Sequence, residues 1–266
     1  MTSHPRSTGR GLDARGLVKR YASVAVVHGV DVTVRPGDVI GYLGPNGSGK
    51  TTTVRMLTGL TEPSDGHVVH DGRDIYADLV AFRRRLGYVP EEAHLYPFLS
   101  GREYLELVGR LRELPVALLD RKISSLLELF GILSAADQPI SGYSKGMKQK
   151  VLISAALLHD PDLLILDEPE SGLDVTAVLV LRSLLTELSK RGKAILYSSH
   201  IMESVERVCS RVMVLHRGRV VADDSSSHLR ALMSRDSLEA VFAELVVQDD
   251  PDRTASDIAD VSALRA

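Results

Sequence analysis

Gly44-Pro45-Asn46-Gly47-Ser48-Gly49-Lys50-Thr51 decides the fold of this chain. An apolar run, Val39-Ile40-Gly41-Tyr42-Leu43, leads into it, and a helix-patterned stretch, Thr52-Thr53-Val54-Arg55-Met56-Leu57, follows. Strand, glycine loop and helix in that order are the context that a phosphate-binding loop needs. Glycines let successive backbone N–H groups converge on one centre, and the helix N-terminus adds partial positive charge. The pattern places Lys50 to reach β- and γ-phosphates and Thr51 to hold a magnesium ion. Alone, the loop says only that a nucleoside triphosphate binds here.

Composition narrows the rest. The 266 residues make one large domain or two small ones. The net charge of −3, from 32 basic and 35 acidic residues, gives no electrostatic footprint for nucleic acid. Tryptophan is absent and only 5% of residues are aromatic, which excludes a stacking platform for single strands. The single cysteine, Cys209, excludes an internal disulfide framework and reads as a small buried filler. Met1 to Arg10 are polar, so no secretory leader is expected. No window approaches the roughly 20 apolar residues that cross a bilayer.

Around the loop, Val24-Ala25-Val26-Val27 and Val30-Asp31-Val32-Thr33-Val34 read as two strands. His67-Val68-Val69-His70 reads as a short strand whose histidines face opposite ways and cannot share a metal ion. Arg83-Arg84-Arg85 reads as a solvated helix end before the strand Leu86-Gly87-Tyr88-Val89. Residues 99–159 change to helical periodicity, with breaks near Leu114-Pro115 and Asp137-Gln138-Pro139. That insert ends in Ser144-Lys145-Gly146-Met147-Lys148, with Ser144 placed as the N-cap of the next helix.

Leu163-Leu164-Ile165-Leu166 is a run that fits a strand buried on both faces, and it ends in Asp167-Glu168-Pro169. Open α/β sheets bind ligands at such C-terminal strand ends. There Asp167 can hold magnesium and Glu168 can polarise an attacking water. Ser171-Gly172-Leu173-Asp174 turns into a helix from Val178 to Leu188. Lys193 to Ser198 is another buried strand, and it brings His200 to the same edge. Val212 to His216 and Val220 to Ala222 read as a closing hairpin, and a short helix starts at Ser226.

With these motifs in this order, residues 12 to about 225 resemble the ATP-binding subunit of an ABC transporter. The resemblance implies an α/β fold: a P-loop NTPase core with a mostly parallel sheet, an antiparallel β subdomain and an inserted helical subdomain. The expected layout is a disordered tail at 1–10 and the ATPase domain at 11–235, with its helical subdomain at about 92–159. A C-terminal extension at 236–266 is expected to form a short helix and then a disordered tail. By the resemblance, Tyr21 stacks on adenine, Gly44 through Thr51 with Thr52 cradle the phosphates of ATP, and Thr51 and Asp167 hold Mg2+. Glu168 is the catalytic carboxylate, aided by Lys50 and by His200, the histidine of the switch that contacts the γ-phosphate. Ser144 and Gly146 belong to the signature and Asp174 to the D-loop, both of which face a partner's nucleotide.

Two positions depart from the family's pattern. The signature carries Lys145 and Met147 where the family has glycine and glutamine. The lid position after Gly87-Tyr88-Val89-Pro90 holds Glu91 in place of glutamine, which keeps an oxygen for metal but sets a negative charge near the γ-phosphate. The family pairs the phosphate loop of one subunit with the signature of another. The resemblance thus implies a homodimer, or a heterodimer with a paralogue, docked on a separate transmembrane permease at the cytoplasmic face of the membrane. The ending Ser237-Leu238-Glu239-Ala240-Val241-Phe242 and the Pro-Glu-Glu lid resemble export-type systems. The alternative is a regulatory ABC-type ATPase that docks on a membrane protein without moving cargo. No inserted coiled coil, zinc module, second cassette or acceptor lid appears, as repair, translation or kinase relatives would require.

Overall fold

The computed structural model describes residues 10–232 and Phe242. Two strands, β1 (Leu12–Tyr21) and β2 (Val24–Val34), come first, then β3 (Val39–Leu43) and α1 (Lys50–Leu57). Next are β4 (Asp65–His70), β5 (Arg73–Asp74), α2 (Leu79–Arg85) and β6 (Leu86–Val89). The inserted helices are α3 (Gly101–Leu111), α4 (Val116–Leu129) and α5 (Lys145–Leu157). The chain returns through β7 (Leu163–Asp167), α6 (Val175–Lys190), β8 (Ala194–Ser198) and α7 (Met202–Val208), then β9 (Arg211–His216), β10 (Arg219–Asp224) and α8 (Ser226–Leu232).

Among the described residues the strands form two sheets. One is antiparallel, in the order β2-β1-β4-β5; the other runs β10-β9-β3-β8-β7-β6 and is parallel except at its β9–β10 edge. The central strands β3, β7 and β8 are buried at every position, as their unbroken apolar runs require. Their side chains alternate between two cores. Ile40, Tyr42, Ile165 and Leu196 face the antiparallel sheet and α1, whereas Leu43, Leu164, Ile195 and Tyr197 face α6 and α7. A third core, with Leu105, Ile123, Leu127 and Val151, sits among α3, α4 and α5. Close approach is built in by glycine: a Cβ on Gly41 would come within 2.4 Å of Val205 in α7, and one on Gly87 within 2.5 Å of the Ala156 carbonyl in α5.

Several expectations need correction. The two strands expected over Val24–Val27 and Val30–Val34 are one, because Gly29 (φ +75°) lets β2 bend without ending. The long β1 carries register shifts at Ala14/Leu17, Leu17/Val18 and Lys19/Arg20, which break the alternation that would have revealed it. Helix α6 begins three residues earlier than expected, capped by the Asp174 side chain accepting from the Ala177 N–H. The triple arginine is the exposed end of α2, as expected, yet each side chain also finds a partner. Arg83 donates to the Gly59 carbonyl, Arg84 pairs with Glu113, and Arg85 bridges Asp71 and Asp162. Residues 1–9 of the tail expected at 1–10 and the amphipathic stretch Leu238–Leu245 lie outside the described residues, except Phe242, which packs against the core of α6 and α7.

The helical insert meets the sheet at a buried joint. His159, just past α5, donates from Nε2 to the Leu86 carbonyl at 3.1 Å, and Arg112 donates to the same oxygen at 3.3 Å. The His159 Nδ1 is buried with no partner. Burial, and then the Arg112 charge, pushes the imidazole down from its ordinary 6.5 to about 4. The folded protein thus refuses a proton that the unfolded chain accepts between pH 6.5 and 4, so folding stability is present above this window and is lost as pH falls through it. His159→Gln, whose amide can still donate to Leu86, should show a smaller drop in Tm from pH 7 to pH 4.5 than the parent protein. Equal drops in the two proteins would remove His159 from this role.

Candidate functional site

The site forms where α1 begins. Gly44 leaves the end of β3 so tightly that a Cβ there would meet the Leu215 carbonyl and Ser48 Oγ, each at 2.5 Å. Gly47 (φ +76°) and Gly49 (φ +102°) take left-handed conformations, which wrap the loop around the helix start. Lys50, only 8% exposed, folds back so that its ammonium donates to the carbonyls of Gly44 and Pro45. Burial lowers the Lys50 pKa, and Glu168, Asp167 and Glu91 partly restore it, in that order.

A cleft of about 370 Å³ opens over this loop. Its walls are Pro45, Asn46, Gly47, Gly49, Lys50, Thr51 and Thr52 on one side and Glu91, Asp167 and Glu168 on the other, with Val26 from β2 closing an end. Asp167 ends β7 at 1% exposure, and both of its carboxylate oxygens are buried without a hydrogen-bond donor. Burial pushes its carboxyl up to about 6; the nearby Ser198 hydroxyl and Lys50 oppose this, and the charges of Glu91 and Glu168 add to it. A buried carboxylate without donors lacks the partners such groups normally keep. It is suited to a cation brought in with the substrate.

Glu168 follows at φ +49°, a left-handed conformation uncommon for a residue with a side chain. Its Oε2 lies 2.7 Å from Nδ1 of His200, which is supplied by the segment beyond β8. Glu91 reaches across the cleft, where its Oε2 accepts from the Thr51 hydroxyl at 3.1 Å. Positions 50, 51, 91, 167, 168 and 200 therefore come together from four separate stretches of chain.

Other expected positions lie elsewhere. Tyr21 ends β1 and is 48% exposed, outside the cleft walls, with the Lys19 ammonium 5.5 Å from its ring centre. Ser144 caps α5 by accepting from the Met147 N–H, and neither it nor Gly146 lines the cleft. The α5 start packs on the Ser171–Asp174 turn instead: a Cβ on Gly146 would lie 2.5 Å from the Gly172 carbonyl. The Lys145 stem covers Gly172, and Lys150 lies 3.6 Å from the Asp174 carboxylate. Sequence reasoning missed Val26, whose apolar type carries no signal of a cleft wall. It also missed Gln149, buried and donating to the Pro169 carbonyl at 3.0 Å, because its neighbours Lys148 and Lys150 give no sign of burial.

Comparison with known proteins agrees with this geometry. The family model described as ABC transporter matches residues 27–171. The ABC transporter ATP-binding protein NatA of Bacillus subtilis (strain 168) is 37% identical over 226 residues, 85% of this chain and 92% of that protein. The Nod factor export ATP-binding protein I of Ralstonia nicotianae is 38% identical over 218 residues, 82% of this chain and 68% of that protein. A solved ATP-binding subunit of an ABC transporter superposes with a TM-score of 0.83 at 34% identity, covering 88% of this chain and 98% of its own. An ATP-binding cassette solved as a dimer in a post-hydrolysis state with ADP and Pi shares the fold, with a TM-score of 0.75 at 22% identity. Among the described residues no helix is long and apolar enough to cross a membrane. The chain belongs to the ABC transporter family as an ATP-binding, ATP-hydrolysing subunit.

Proposed function

We propose that two such subunits, either identical or this chain and a paralogue, close around ATP and thereby drive export through a separate membrane permease. The observation that carries this reading is the 2.7 Å contact between Glu168 and His200 at the wall of the phosphate-loop cleft. Glu168 is the general base, aligned for a water that attacks the γ-phosphate, and His200 orients that carboxylate while reaching the phosphate itself. The backbone N–H groups of residues 44–52 and the Lys50 ammonium hold the phosphates, and Tyr21 offers its exposed ring to adenine. Mg2+, when bound, neutralises phosphate charge, and Thr51, Asp167 and Glu91 would hold it; the donor-free oxygens of Asp167 fit that task.

Ser144 and Gly146 stand apart from their own cleft, so their part is to complete the nucleotide site of the second subunit. There the capped N-terminus of α5, reinforced by Lys145, meets the γ-phosphate. Asp174 lies on the same face. The γ-phosphate thus biases a two-state interface, closed while it is present and open after its release. The relatives named for Nod factor export support the outward direction. The permease and the cytoplasmic membrane face follow from the family's division of labour between ATPase and membrane subunits.

Reconstitution with the permease in vesicles tests the whole reading: ATP turnover should rise with the permease present and cargo should move. Permease-stimulated turnover without cargo movement would instead identify a regulatory ATPase. Glu168→Gln should keep ATP binding, lower turnover by about 10²–10⁴, and run as an ATP-dependent dimer on gel filtration. Lys50→Ala should instead weaken ATP binding itself, read by equilibrium titration. Glu91→Gln removes a negative charge beside the γ-phosphate, and we expect basal turnover to rise roughly tenfold, about 1.4 kcal/mol of barrier, with an altered Mg2+ requirement. Unchanged turnover and Mg2+ dependence would show that the lid carboxylate has no such effect.

A further inference from the structure

Glu170 is an acid that the chemistry above does not use, and its side chain is 5% exposed. Arg182 on α6, itself 15% exposed, donates from Nε to Glu170 Oε1 at 3.0 Å and from Nη2 to Ser204 Oγ at 2.5 Å. The Ser204 hydroxyl donates in turn to Glu170 Oε2 at 2.6 Å, which closes a ring of three side chains. These residues come from three different segments. Glu170 stands two positions after Glu168 in the turn that ends at Asp174, Arg182 lies on α6, and Ser204 lies on α7 four positions after His200.

A buried ion pair is weak evidence for stability, because desolvation offsets much of its attraction. Its charge-assisted hydrogen bonds are directional, however, and fix geometry well. Geometry is what the neighbouring residue needs. Glu168 holds a left-handed backbone (φ +49°), a strain of roughly 1–3 kcal/mol that persists only where the surroundings over-determine it. On one side its N–H donates to the Ser198 carbonyl at 3.1 Å. On the other, the turn is closed by the Ser171 N–H to the Glu168 carbonyl and the Leu173 N–H to the Glu170 carbonyl, both at 3.1 Å. The Glu170 side chain anchors this turn from beneath.

We propose that Glu170, Arg182 and Ser204 form a positioning triad for ATP hydrolysis. The triad ties the turn that carries Glu168 to the helix that follows His200, so base and histidine keep their mutual contact while the cleft changes shape. None of the three touches the substrate; all act through Glu168 and His200. The proposal rests on the reading of Glu168 as general base.

Ser204→Ala and Glu170→Gln in the full chain test it. Each should lower kcat roughly tenfold and leave KM for ATP within about twofold, because the phosphate loop is untouched. In the Glu168→Gln background neither should lower the residual turnover further, since groups that act as one unit are not additive. Amide exchange in residues 168–174 should rise in both variants. If Glu170→Gln fails to fold, Ser204→Ala, which removes one oxygen, carries the same test. Unchanged kcat in Ser204→Ala beside a crippled Glu168→Gln overturns the triad alone, as does a loss that multiplies with Glu168→Gln. Faster exchange with unchanged kcat overturns it too, by reducing the ring to a structural brace. Full turnover in Glu168→Gln by itself instead removes the reading of Glu168, and the triad's role goes with it.

Discussion

The site depends on the last rung of one parallel ladder. Asp167 pairs in register with Ser198, and the next N–H, that of Glu168, donates to the Ser198 carbonyl at 3.1 Å. That bond brings the end of β7 level with the end of β8. The acids of one strand and the histidine just past the other then have only a side chain's length to cross. β3 lies on the far side of β8 in the same sheet, so the phosphate loop leaves the sheet at the same edge. A slip of one residue in this register would turn Asp167 into the core and put a leucine at the cleft. The buried apolar runs of these strands oppose such a slip, because each alternate side chain already belongs to one core or the other.

Electrostatics at the cleft are unbalanced by design of the chain. Three carboxylates, Glu91, Asp167 and Glu168, face one buried ammonium, and burial pushes the Asp167 carboxyl up to about 6. The site as it stands favours an additional positive charge more than an additional negative one. A nucleotide entering together with a divalent cation supplies both, and the carboxylates that disfavour a bare phosphate help to bind the pair. On the proposed Mg2+ ligation, selectivity for the metal complex of the substrate would follow from the same burial that makes the acids uncomfortable alone.

Much of this was legible in the sequence, and the reasons are local. The glycine loop is read from a backbone requirement: its wrap needs φ values open to Gly47 and Gly49. The strand of Asp167 is read from burial on both faces, and Ser144 from the capping chemistry of its hydroxyl. What stayed hidden depends on contacts between distant segments. No period marks β1, because its register shifts move the alternation off its beat. Nothing near Arg85 announces Asp71 and Asp162 as its partners. Glu170, in an acidic turn, carries no mark of burial in the sequence, yet the partner side holds a clue: Arg182 interrupts the apolar sequence Val178-Leu179-Val180-Leu181 and Leu184-Leu185.

The left-handed backbone at Glu168 also restricts which residues can ever stand there. β-branched side chains are genuine outliers in that region, whereas asparagine, aspartate and glycine enter it with little strain. A descendant of this chain that loses hydrolysis yet keeps its fold is therefore channelled toward a small set of replacements. With Glu168 as the general base we propose, asparagine or glycine would leave a silent cassette that still closes on nucleotide. Valine or isoleucine would disturb the turn itself, and with it the approach of the D-loop to a second subunit. The conformation of one residue thus separates two evolutionary routes, one to a regulatory subunit and one to a broken protein.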